Sequence, residues 1–407
     1  MSPDERAARA GGGPGSDDVY TRAAHPPDPP VPAQRPLGLP TYRTSAFVFE
    51  TAGEYADVLG NRAEGYVYTR IDNPTVDAFG AAVAALEGAE AAQCFASGMA
   101  AISTTLLTFL SAGDHVVAQR SLYGGTYSLF AHVLPRFGIT TTHVATADEA
   151  AAAVRPETRL VYGETIANPT LDVCDLPAFA AVAREAGVPF VVDSTFASPV
   201  VCRPLEWGAD VVLHSATKLL GGHTDATGGV AVGSRDLMAK VRALRSDLGG
   251  SLAPDEAFLL HRGTETLPLR VDRQCETALA FATALAEHPA VEAVAYPGLP
   301  NDRGHELATK LFDSRRGSTR YGAIVTVSPR GGREAGVAMC DGLRLAYNAT
   351  SLGGTVTKVS HVASTTHRQL DDDALRAAGI APSAVRVSIG LEDPDDLVAD
   401  FVGALER

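Results

Sequence analysis

The sequence predicts an α/β protein, with a large domain on a mainly parallel seven-stranded sheet and a smaller C-terminal α+β domain. Short runs of β-branched and other apolar residues recur at intervals of roughly 20–30 residues, with amphipathic segments between several of them. This alternation is typical of βαβ units, whose strands are buried on both faces. After about residue 260 the pattern changes, which indicates a second domain.

Seven apolar runs predict the strands of the large domain. The stretch of residues 75–92 has helical periodicity, and Gly88 marks the predicted end of the helix. A second amphipathic segment covers residues 175–187. Ligands of such sheets bind at the carboxyl ends of the strands, so the residues that follow each run are the candidates for a site. In chain order the runs are AAQCFA, HVVAQ, TTHVA, RLVYGE, PFVVDS, ADVVLHS and GGVAVGS.

The C-terminal part begins with a long helical segment, LRVDRQCETALAFATALAEH, and closes with another, DPDDLVADFVGALE. Between them, VEAVAYP, AIVTVSP, LRLAYN and AVRVSIG predict strands. We therefore divide the chain into residues 66–260 and 261–407. Residues 1–65 are predicted to be a flexible Pro-rich tail and arm, with the first 25 or so disordered, because they cannot bury enough apolar surface to offset the entropy of ordering.

Composition excludes several classes of function. The 407 residues carry a formal net charge of −14, which argues against nucleic acid or anionic membrane as the main partner. No apolar segment is long enough to span a membrane, and the N-terminus shows no apolar signal core. The five cysteines are scattered without metal-binding spacing, so we expect a reduced, cytoplasmic protein without a metal site.

Three of the strand ends carry residues suited to chemistry. Ser97, Gly98 and Met99 join a strand to a helix, which forms either a phosphate site or a plain turn and cap. Asp193 ends another strand and is either a cap or a partner for a buried cation. Lys218 follows the next strand in DVVLHSATKLLGGH, with no carboxylate in the five residues before it.

Together these residues match one cofactor. A lysine amine forms a Schiff base when an apolar, electropositive environment lowers its pKa. The carboxylate of Asp193 can hold a pyridine nitrogen protonated, and a helix N-terminus with the hydroxyls of Ser215 and Thr217 can hold a phosphate. Pyridoxal phosphate requires these parts.

Nine short motifs occur in one order along the chain. They are YVYTRIDNPT (66–75), ASGMAA (96–101), YGGTY (123–127), ETIANP (164–169), VVDSTF (191–196), HSATK (214–218), SLGG (351–354), TTH (365–367) and VRVSIGLED (385–393). With these motifs in this order, the chain from about Thr41 to its C-terminus resembles the Cys/Met metabolism family of pyridoxal phosphate enzymes. This family includes cystathionine γ-synthase, cystathionine γ-lyase, methionine γ-lyase and O-acetylhomoserine sulfhydrylase, and the resemblance implies the fold type I architecture.

The resemblance implies roles for the residues around the cofactor. Lys218 would form the Schiff base and move protons, and Asp193 would pair with the pyridine nitrogen. Tyr123 would stack on the ring and act as an acid or base near the leaving group. The phosphate would be held by four residues, namely Gly98, Met99, Ser215 and Thr217.

The resemblance also implies contacts with substrate and with a second subunit. Arg386, with the Ser351 backbone, would bind the substrate carboxylate, for which a guanidinium fork is suited. Asn168 would lie near the cofactor O3′, although Asn168 and Ser351 could each serve only as turn residues. Tyr68 and Arg70 would reach the phosphate of the neighbouring subunit, which implies at least a dimer and by analogy a homotetramer.

The motifs do not decide between two reactions at Cγ of an L-amino acid. Elimination by a lyase is favoured, including elimination of an unusual leaving group such as a halide or acyloxy group. Replacement by a synthase or sulfhydrylase is the alternative. A non-catalytic cofactor-binding homologue and an aminotransferase remain further alternatives. Three positions depart from the family's patterns. They are Gly125, where methionine γ-lyases usually have Cys, Thr350, where members that handle cystathionine often have Glu, and Val356, where many relatives have Glu. The resemblance nevertheless places Thr350, with Asn168, among the substrate-binding residues.

Two further sets of residues have candidate roles outside this constellation. Glu164 is interpreted as structural rather than as a catalytic acid. The histidines near the motifs lack the helical spacing of paired metal ligands and are interpreted as ordinary buried or surface residues. They are His214, His223, His361 and His367.

Overall fold

The computed structural model describes residues 34–314, 317–366, 368, 371–377 and 379–407, together with residue 23. Residue contacts divide the chain into Met1–Pro40 and Thr41–Arg407, and the second unit carries both sheets. The disorder predicted for the first 25 or so residues lies, apart from residue 23, outside the described residues. The division at residue 260 stays a prediction.

Within the described residues, all seven apolar runs of the large domain form strands of one sheet, as predicted. The strand order is β1-β7-β6-β5-β4-β2-β3. β7 is antiparallel to both neighbours, and the other pairings are parallel. In chain order the strands are β1 (Ala91–Phe95), β2 (His115–Gln119), β3 (Thr140–Val144), β4 (Thr158–Glu164), β5 (Phe190–Asp193), β6 (Val211–His214) and β7 (Gly229–Gly233).

Helices cover both faces of this sheet. Along β5, Val192 packs into one core cluster and Val191 into the other, which explains why the strand is apolar without alternation. The described α-helices are α1 (Ala52–Leu59), α2 (Pro74–Glu87), α3 (Gly98–Phe109), α4 (Gly124–Ser128), α5 (Ala147–Ala153), α6 (Leu176–Ala186), α7 (Ser198–Val201), α8 (Arg235–Leu248), α9 (Pro254–Glu265), α10 (Leu267–Ala286), α11 (His305–Leu311), α12 (Gly332–Gly342), α13 (Asp372–Ala377) and α14 (Pro394–Leu405). Shorter helical turns lie at Leu129–Val133, Leu134–Phe137, Pro204–Trp207 and Val362–Ser364.

Local signals account for the helix ends. α2 begins where the Asn73 side chain accepts a hydrogen bond from the Thr75 N–H at 2.9 Å. It ends at Gly88, as predicted, where a φ of 75° favours a residue without a Cβ. α1 was not predicted from the sequence; it lies in the stretch expected to be a flexible arm and is capped by Thr51.

The second sheet has the strand order β10-β11-β12-β9-β8. The four runs predicted after residue 260 form β8, β9, β10 and β12, but β11 was missed. β11 carries a lysine, a serine and a histidine, each buried. Because the strand prediction relied on runs of apolar residues, a strand with three polar residues was not recognised. The strands are β8 (Val291–Ala295), β9 (Ile324–Pro329), β10 (Tyr347–Asn348), β11 (Lys358–His361) and β12 (Val385–Ser388).

The topology brings several strand ends to one place. β1, β2, β4, β5 and β6 run in the same direction, so their carboxyl ends lie at one edge of the large sheet. Among the described residues, no helix is both long enough and apolar enough to cross a membrane.

Candidate active site

A cavity of about 720 Å³ lies at this edge of the large sheet, which is an ordinary size for a small-molecule site. Residues at or after the ends of five strands of the large sheet line it, together with residues from the small sheet and its loops. Most residues predicted from the sequence meet here, namely Gly98, Met99, Tyr123, Asn168, Asp193, Ser215, Thr217, Lys218, Thr350, Ser351 and Arg386.

Lys218 follows β6 and is largely buried. Its Nζ donates a hydrogen bond to Ser351 Oγ at 2.8 Å. Burial, followed by the positive charges of Arg386 and Lys358, lowers the pKa of Lys218 to about 8. The amine is therefore far easier to deprotonate than an ordinary lysine, as a nucleophile or proton carrier requires.

Asp193 ends β5 and is held by a hydrogen-bonded chain. Its Oδ1 accepts from the Thr195 N–H at 2.9 Å and from the Thr195 hydroxyl at 2.5 Å. The Thr195 hydroxyl in turn accepts from the Ser215 N–H at 2.8 Å. Burial raises the pKa of Asp193, whereas the Thr195 hydrogen bonds and His214 lower it. A cation bound in the cavity would favour the ionised carboxylate.

The first residues of α3, Gly98 and Met99, line the cavity. Ser97 caps this helix by accepting from the Ala100 N–H at 3.1 Å, and the first N–H groups of a helix have no intrahelical acceptor. A Cβ added to Gly98 would lie 2.6 Å from Ser215 Cβ, so glycine is required for the two segments to approach. The Thr217 hydroxyl accepts from the Gly228 N–H at 3.0 Å. This arrangement suits an anion.

Arg386 reaches the same cavity from β12 of the small sheet. Its Nη1 donates to Asn168 Oδ1 and its Nη2 to the Ser351 carbonyl, both at 3.3 Å. Its Nε is buried and has no hydrogen-bond partner among the described residues. Burial lowers the pKa of Arg386 to about 10, so the guanidinium remains charged near neutral pH. A buried cation with an unused donor fits a carboxylate ligand.

Tyr123 forms one wall of the cavity and is 43% exposed. Its N–H donates to Glu164 Oε1 at 2.7 Å, and Glu164 Oε2 accepts from the Asn168 N–H at 3.3 Å. Glu164 therefore ties together two backbone segments of the site. A Cβ added to Gly125 would lie 2.5 Å from Tyr123 Cε1, so the tyrosine ring occupies the space that a side chain at position 125 would need.

Two predicted residues lie outside this cavity. Tyr68 is 43% exposed, and Arg70 Cζ stacks 5.8 Å from the centre of its ring. Arg70 also donates to the Ser246 carbonyl. Within one chain they do not contact the cavity, so any role at the phosphate requires a second subunit.

The histidines considered as metal ligands have other partners. His214 Nε2 lies 2.7 Å from Glu87 Oε1, and His223 Nδ1 lies 2.8 Å from the Gly221 carbonyl. His361 bonds to a hydroxyl and a carbonyl. Over the described residues no group of three or more potential ligands could hold a metal ion, and His367 lies outside them.

Several polar residues in or beside the site were not singled out from the sequence, among them Thr195 and Lys358. Thr195 lies inside the quoted motif VVDSTF, but only the structure shows that it joins Asp193 to Ser215. Lys358 lies in the missed strand β11, and its charge acts on Lys218. Of the two positions after residue 349 that depart from family patterns, Thr350 lines the cavity and Val356 does not.

These residues fit pyridoxal phosphate. Lys218 would carry the aldehyde carbon, Asp193 would face the ring nitrogen, and the start of α3 with Ser215 would hold the phosphate. Two observations support the fit: the close approach of Gly98 to Ser215, and the buried Arg386 Nε with no partner in the described part of the chain. The fold and site therefore define a pyridoxal phosphate enzyme of fold type I.

Comparison with known proteins agrees. The family model described as "Cys/Met metabolism PLP-dependent enzyme" matches residues 21–406, and the chain belongs to this family. An L-methionine gamma-lyase from Fusobacterium nucleatum subsp. polymorphum is 41% identical over 376 residues, which is 91% of this chain and 94% of that protein. An O-succinylhomoserine sulfhydrylase from Pseudomonas aeruginosa is 40% identical over 366 residues, which is 89% of each chain.

A solved structure shows the same fold. The Campylobacter jejuni protein whose crystal structure contains N'-pyridoxyl-lysine-5'-monophosphate superposes with a TM-score of 0.88 at 30% identity, covering 92% of this chain and 97% of that one. The predicted family, fold class and cofactor are thereby confirmed.

Proposed function

We propose that this chain catalyses γ-elimination on an L-amino acid, releasing the γ-substituent, ammonia and a 2-oxo acid. The observation that carries the proposal is the Lys218 amine, which lies 2.8 Å from Ser351 Oγ in the cavity that Asp193 and Arg386 also line. The relatives support chemistry at Cγ, because those compared above are named as a gamma-lyase and a sulfhydrylase.

Each residue has a distinct task in this proposal. Arg386 binds the substrate carboxylate with the donors that the protein leaves weakly used. Lys218 would hold the cofactor before the substrate binds, and its free amine accepts the proton from Cα. When bound, pyridoxal phosphate delocalises the electron pair left at Cα. Lys218 then transfers the proton that leaves Cβ of the substrate.

Tyr123 is proposed to act at the leaving group. Its ring forms the wall of the cavity above Gly125, and its hydroxyl can exchange a proton with the departing γ-substituent. Gly125 leaves this space to the tyrosine ring, where methionine γ-lyases usually have a cysteine. We therefore include substrates whose γ-substituent is not the methylthio group of methionine, such as a halide or an acyloxy group.

Replacement at Cγ is the second candidate function. The P. aeruginosa relative is named as an O-succinylhomoserine sulfhydrylase, and the same residues of the site serve both outcomes. The two reactions differ in whether water or a thiol completes the reaction. Among the described residues, none singles out one of them.

A substrate panel distinguishes the candidates. The purified protein is incubated with L-methionine, L-homocysteine, O-acetyl-L-homoserine and a γ-halo amino acid, each with and without sulfide. We expect a 2-oxo acid and ammonia without sulfide. An amino-acid product that forms only with sulfide would instead establish replacement. Bound cofactor with no exchange of the α-proton into deuterated solvent for any amino acid would favour a non-catalytic cofactor-binding homologue.

We also propose that the active form is at least a dimer, and by analogy a homotetramer. The stretch between residues 42 and 68 exposes large apolar side chains, including Val48 (99% exposed) and Leu59 (49%), which a second copy would cover. Tyr68 and Arg70 lie at the end of this stretch, outside their own cavity. A second subunit would therefore complete the site.

Subunit complementation tests the shared site. Inactive Arg70→Ala and Lys218→Ala chains are mixed, unfolded and refolded together. If Arg70 serves the partner's cavity, each mixed dimer regains one intact site, and the mixture recovers on the order of a quarter of normal activity. No recovery, with mixed dimers demonstrated by mass, would place Arg70 in its own subunit's site.

We further propose a cytoplasmic location, since all five cysteines are free and buried.

A further inference from the structure

Lys358 in β11 is a buried cation. Its side chain belongs to a residue that is only 6% exposed, although lysine is among the residues least often buried. Its Nζ donates to Thr224 Oγ1 at 2.7 Å, and no carboxylate of the described residues lies within ion-pair distance of it. Burying a charged amine without a carboxylate partner costs free energy. The buried position of Lys358 therefore points to a functional role.

The strand register places Lys358 on the face that looks toward the active site. β11 pairs with β12 so that Lys358 lies opposite Ser388, and Ser360 lies opposite Arg386. Residues two apart on a strand share a face, so Lys358, Ser360 and Arg386 belong to one face of the small sheet. Ser360 and Arg386 line the cavity.

The loop before β11 rests directly on the segment that carries Lys218. A Cβ added to Gly353 would lie 2.7 Å from Leu219 N and 3.0 Å from the Lys218 carbonyl carbon. A Cβ added to Gly354 would lie 2.8 Å from Thr224 Oγ1 and 3.0 Å from Lys358 Nζ. The Lys358–Thr224 hydrogen bond therefore joins the small sheet to the loop that follows Lys218.

We propose that Lys358 is a positioning residue whose positive charge, held by Thr224 beside the Lys218 segment, opposes protonation of the Lys218 amine and so favours its capture of the cofactor. This inference rests on the proposed role of Lys218. Lys358 and Arg386 oppose protonation of Lys218 from the small sheet, whereas Asp193 and Glu164 line the cavity from the large sheet and Tyr123 forms its wall.

The test measures capture of pyridoxal phosphate by the full chain freed of cofactor. The rate constant is followed by absorbance from about pH 6 to pH 10, since only the neutral amine reacts. In the wild type we expect the rate to rise with a midpoint near pH 8. Lys358→Gln keeps a donor for Thr224 but removes the charge, and should raise the midpoint by about half a unit, which slows capture at pH 7 about threefold.

Lys358→Arg is the matched control, because it keeps the charge; its midpoint should equal that of the wild type. If Lys358→Gln folds poorly, Lys358→Met replaces it and should show the same upward shift. A Lys358→Gln or Lys358→Met protein that captures the cofactor more slowly at every pH, with an unchanged midpoint, would overturn the proposal in favour of a structural link. An equal shift in Lys358→Arg would also overturn it.

The readout is independent of turnover. A chain that releases no 2-oxo acid from any substrate would refute the proposed function but would still give a capture midpoint. A normal 2-oxo acid yield with an unmoved midpoint in Lys358→Gln would refute only the role of Lys358.

Discussion

The edge of the large sheet and the facing surface of the small sheet contribute to the same cavity in opposite ways. At the sheet edge, Asp193, Thr195 and Ser215 form a chain of hydrogen bonds between 2.5 and 2.9 Å. On the small sheet, Arg386 makes two hydrogen bonds of 3.3 Å, and its buried Nε has no partner in the described part of the chain. The Asp193 carboxylate is held in place by internal hydrogen bonds, whereas Arg386 keeps a donor unused.

This difference matches two kinds of ligand. A resident cofactor is bound best by groups fixed in advance, because no ordering is required when it binds. A substrate that enters and leaves at each turnover is bound by donors whose best partner is the substrate itself. Lys218 connects the two sides, since it follows a strand of the large sheet and its amine contacts Ser351 from the small-sheet side.

The largest expected effect comes from removing the connecting residue. Lys218→Ala should lower turnover by at least about 10²–10⁴-fold, because proton transfer by a positioned base contributes that much. The variant should also lose the visible absorbance band of the Schiff base. Steady-state assay and spectrum check this, with the exposed Lys240→Ala as control. A variant that kept both its band and its turnover would show that another amine carries the cofactor.

The next effect breaks the small-sheet side alone. Arg386→Leu removes charge-assisted hydrogen bonds to the substrate carboxylate and should lower kcat/KM by about 10²–10³-fold, mainly through KM. The visible band should remain, since the sheet edge is untouched. Arg386→Lys keeps the positive charge but loses the planar guanidinium. Its kcat/KM should therefore lie between those of the wild type and of Arg386→Leu. Loss of the band together with an unchanged KM would assign Arg386 to the cofactor instead.

A smaller effect is expected from a change on the large-sheet side of the cavity. Thr195→Val removes the hydroxyl between Asp193 and the Ser215 N–H, and should weaken pyridoxal phosphate binding by about 10–100-fold. Thr195→Ser keeps the hydroxyl and serves as the matched control. Titration of the cofactor-free chain measures the affinity. Equal affinities in the two variants would mean that the chain of hydrogen bonds does not prepare the site.

The smallest effect concerns stability against pH. In the cofactor-free chain the pKa of Lys218 is about 8 when folded and about 10.4 when unfolded, so between these values the unfolded chain binds more protons and stability rises with pH. Below pH 8 the Lys218 amine is mostly protonated in both the folded and the unfolded chain, so folding then carries the cost of burying its charge. Lys218→Met should therefore raise the free energy of unfolding at pH 7 by about 1–2 kcal/mol, and the gain should shrink by pH 10.

Urea unfolding of both cofactor-free chains at the two pH values measures this difference. A gain that is equal at pH 7 and pH 10 would attribute it to apolar packing of the methionine rather than to removal of a charge.

Sequence reasoning predicted the large-sheet side better than the small-sheet side. Strands such as β5 and β6 are buried on both faces, so their composition alone identifies them, and Asp193 and Lys218 could be located from the strand ends. β11 could not be found in this way because Lys358 is buried through a contact with Thr224, 134 residues away. Arg386 and Asn168 lie 218 residues apart, and only the resemblance to a family predicted their meeting.

The central claim is that Lys218 carries the cofactor at the junction of the two sides. Borohydride reduction of the purified protein fixes pyridoxal phosphate to the amine that holds it, and peptide mapping by mass spectrometry then identifies that amine. The account predicts the pyridoxyl group on Lys218 and its absence from that peptide in Lys218→Ala. Label on another lysine such as Lys358, or no label on the native protein, would contradict it.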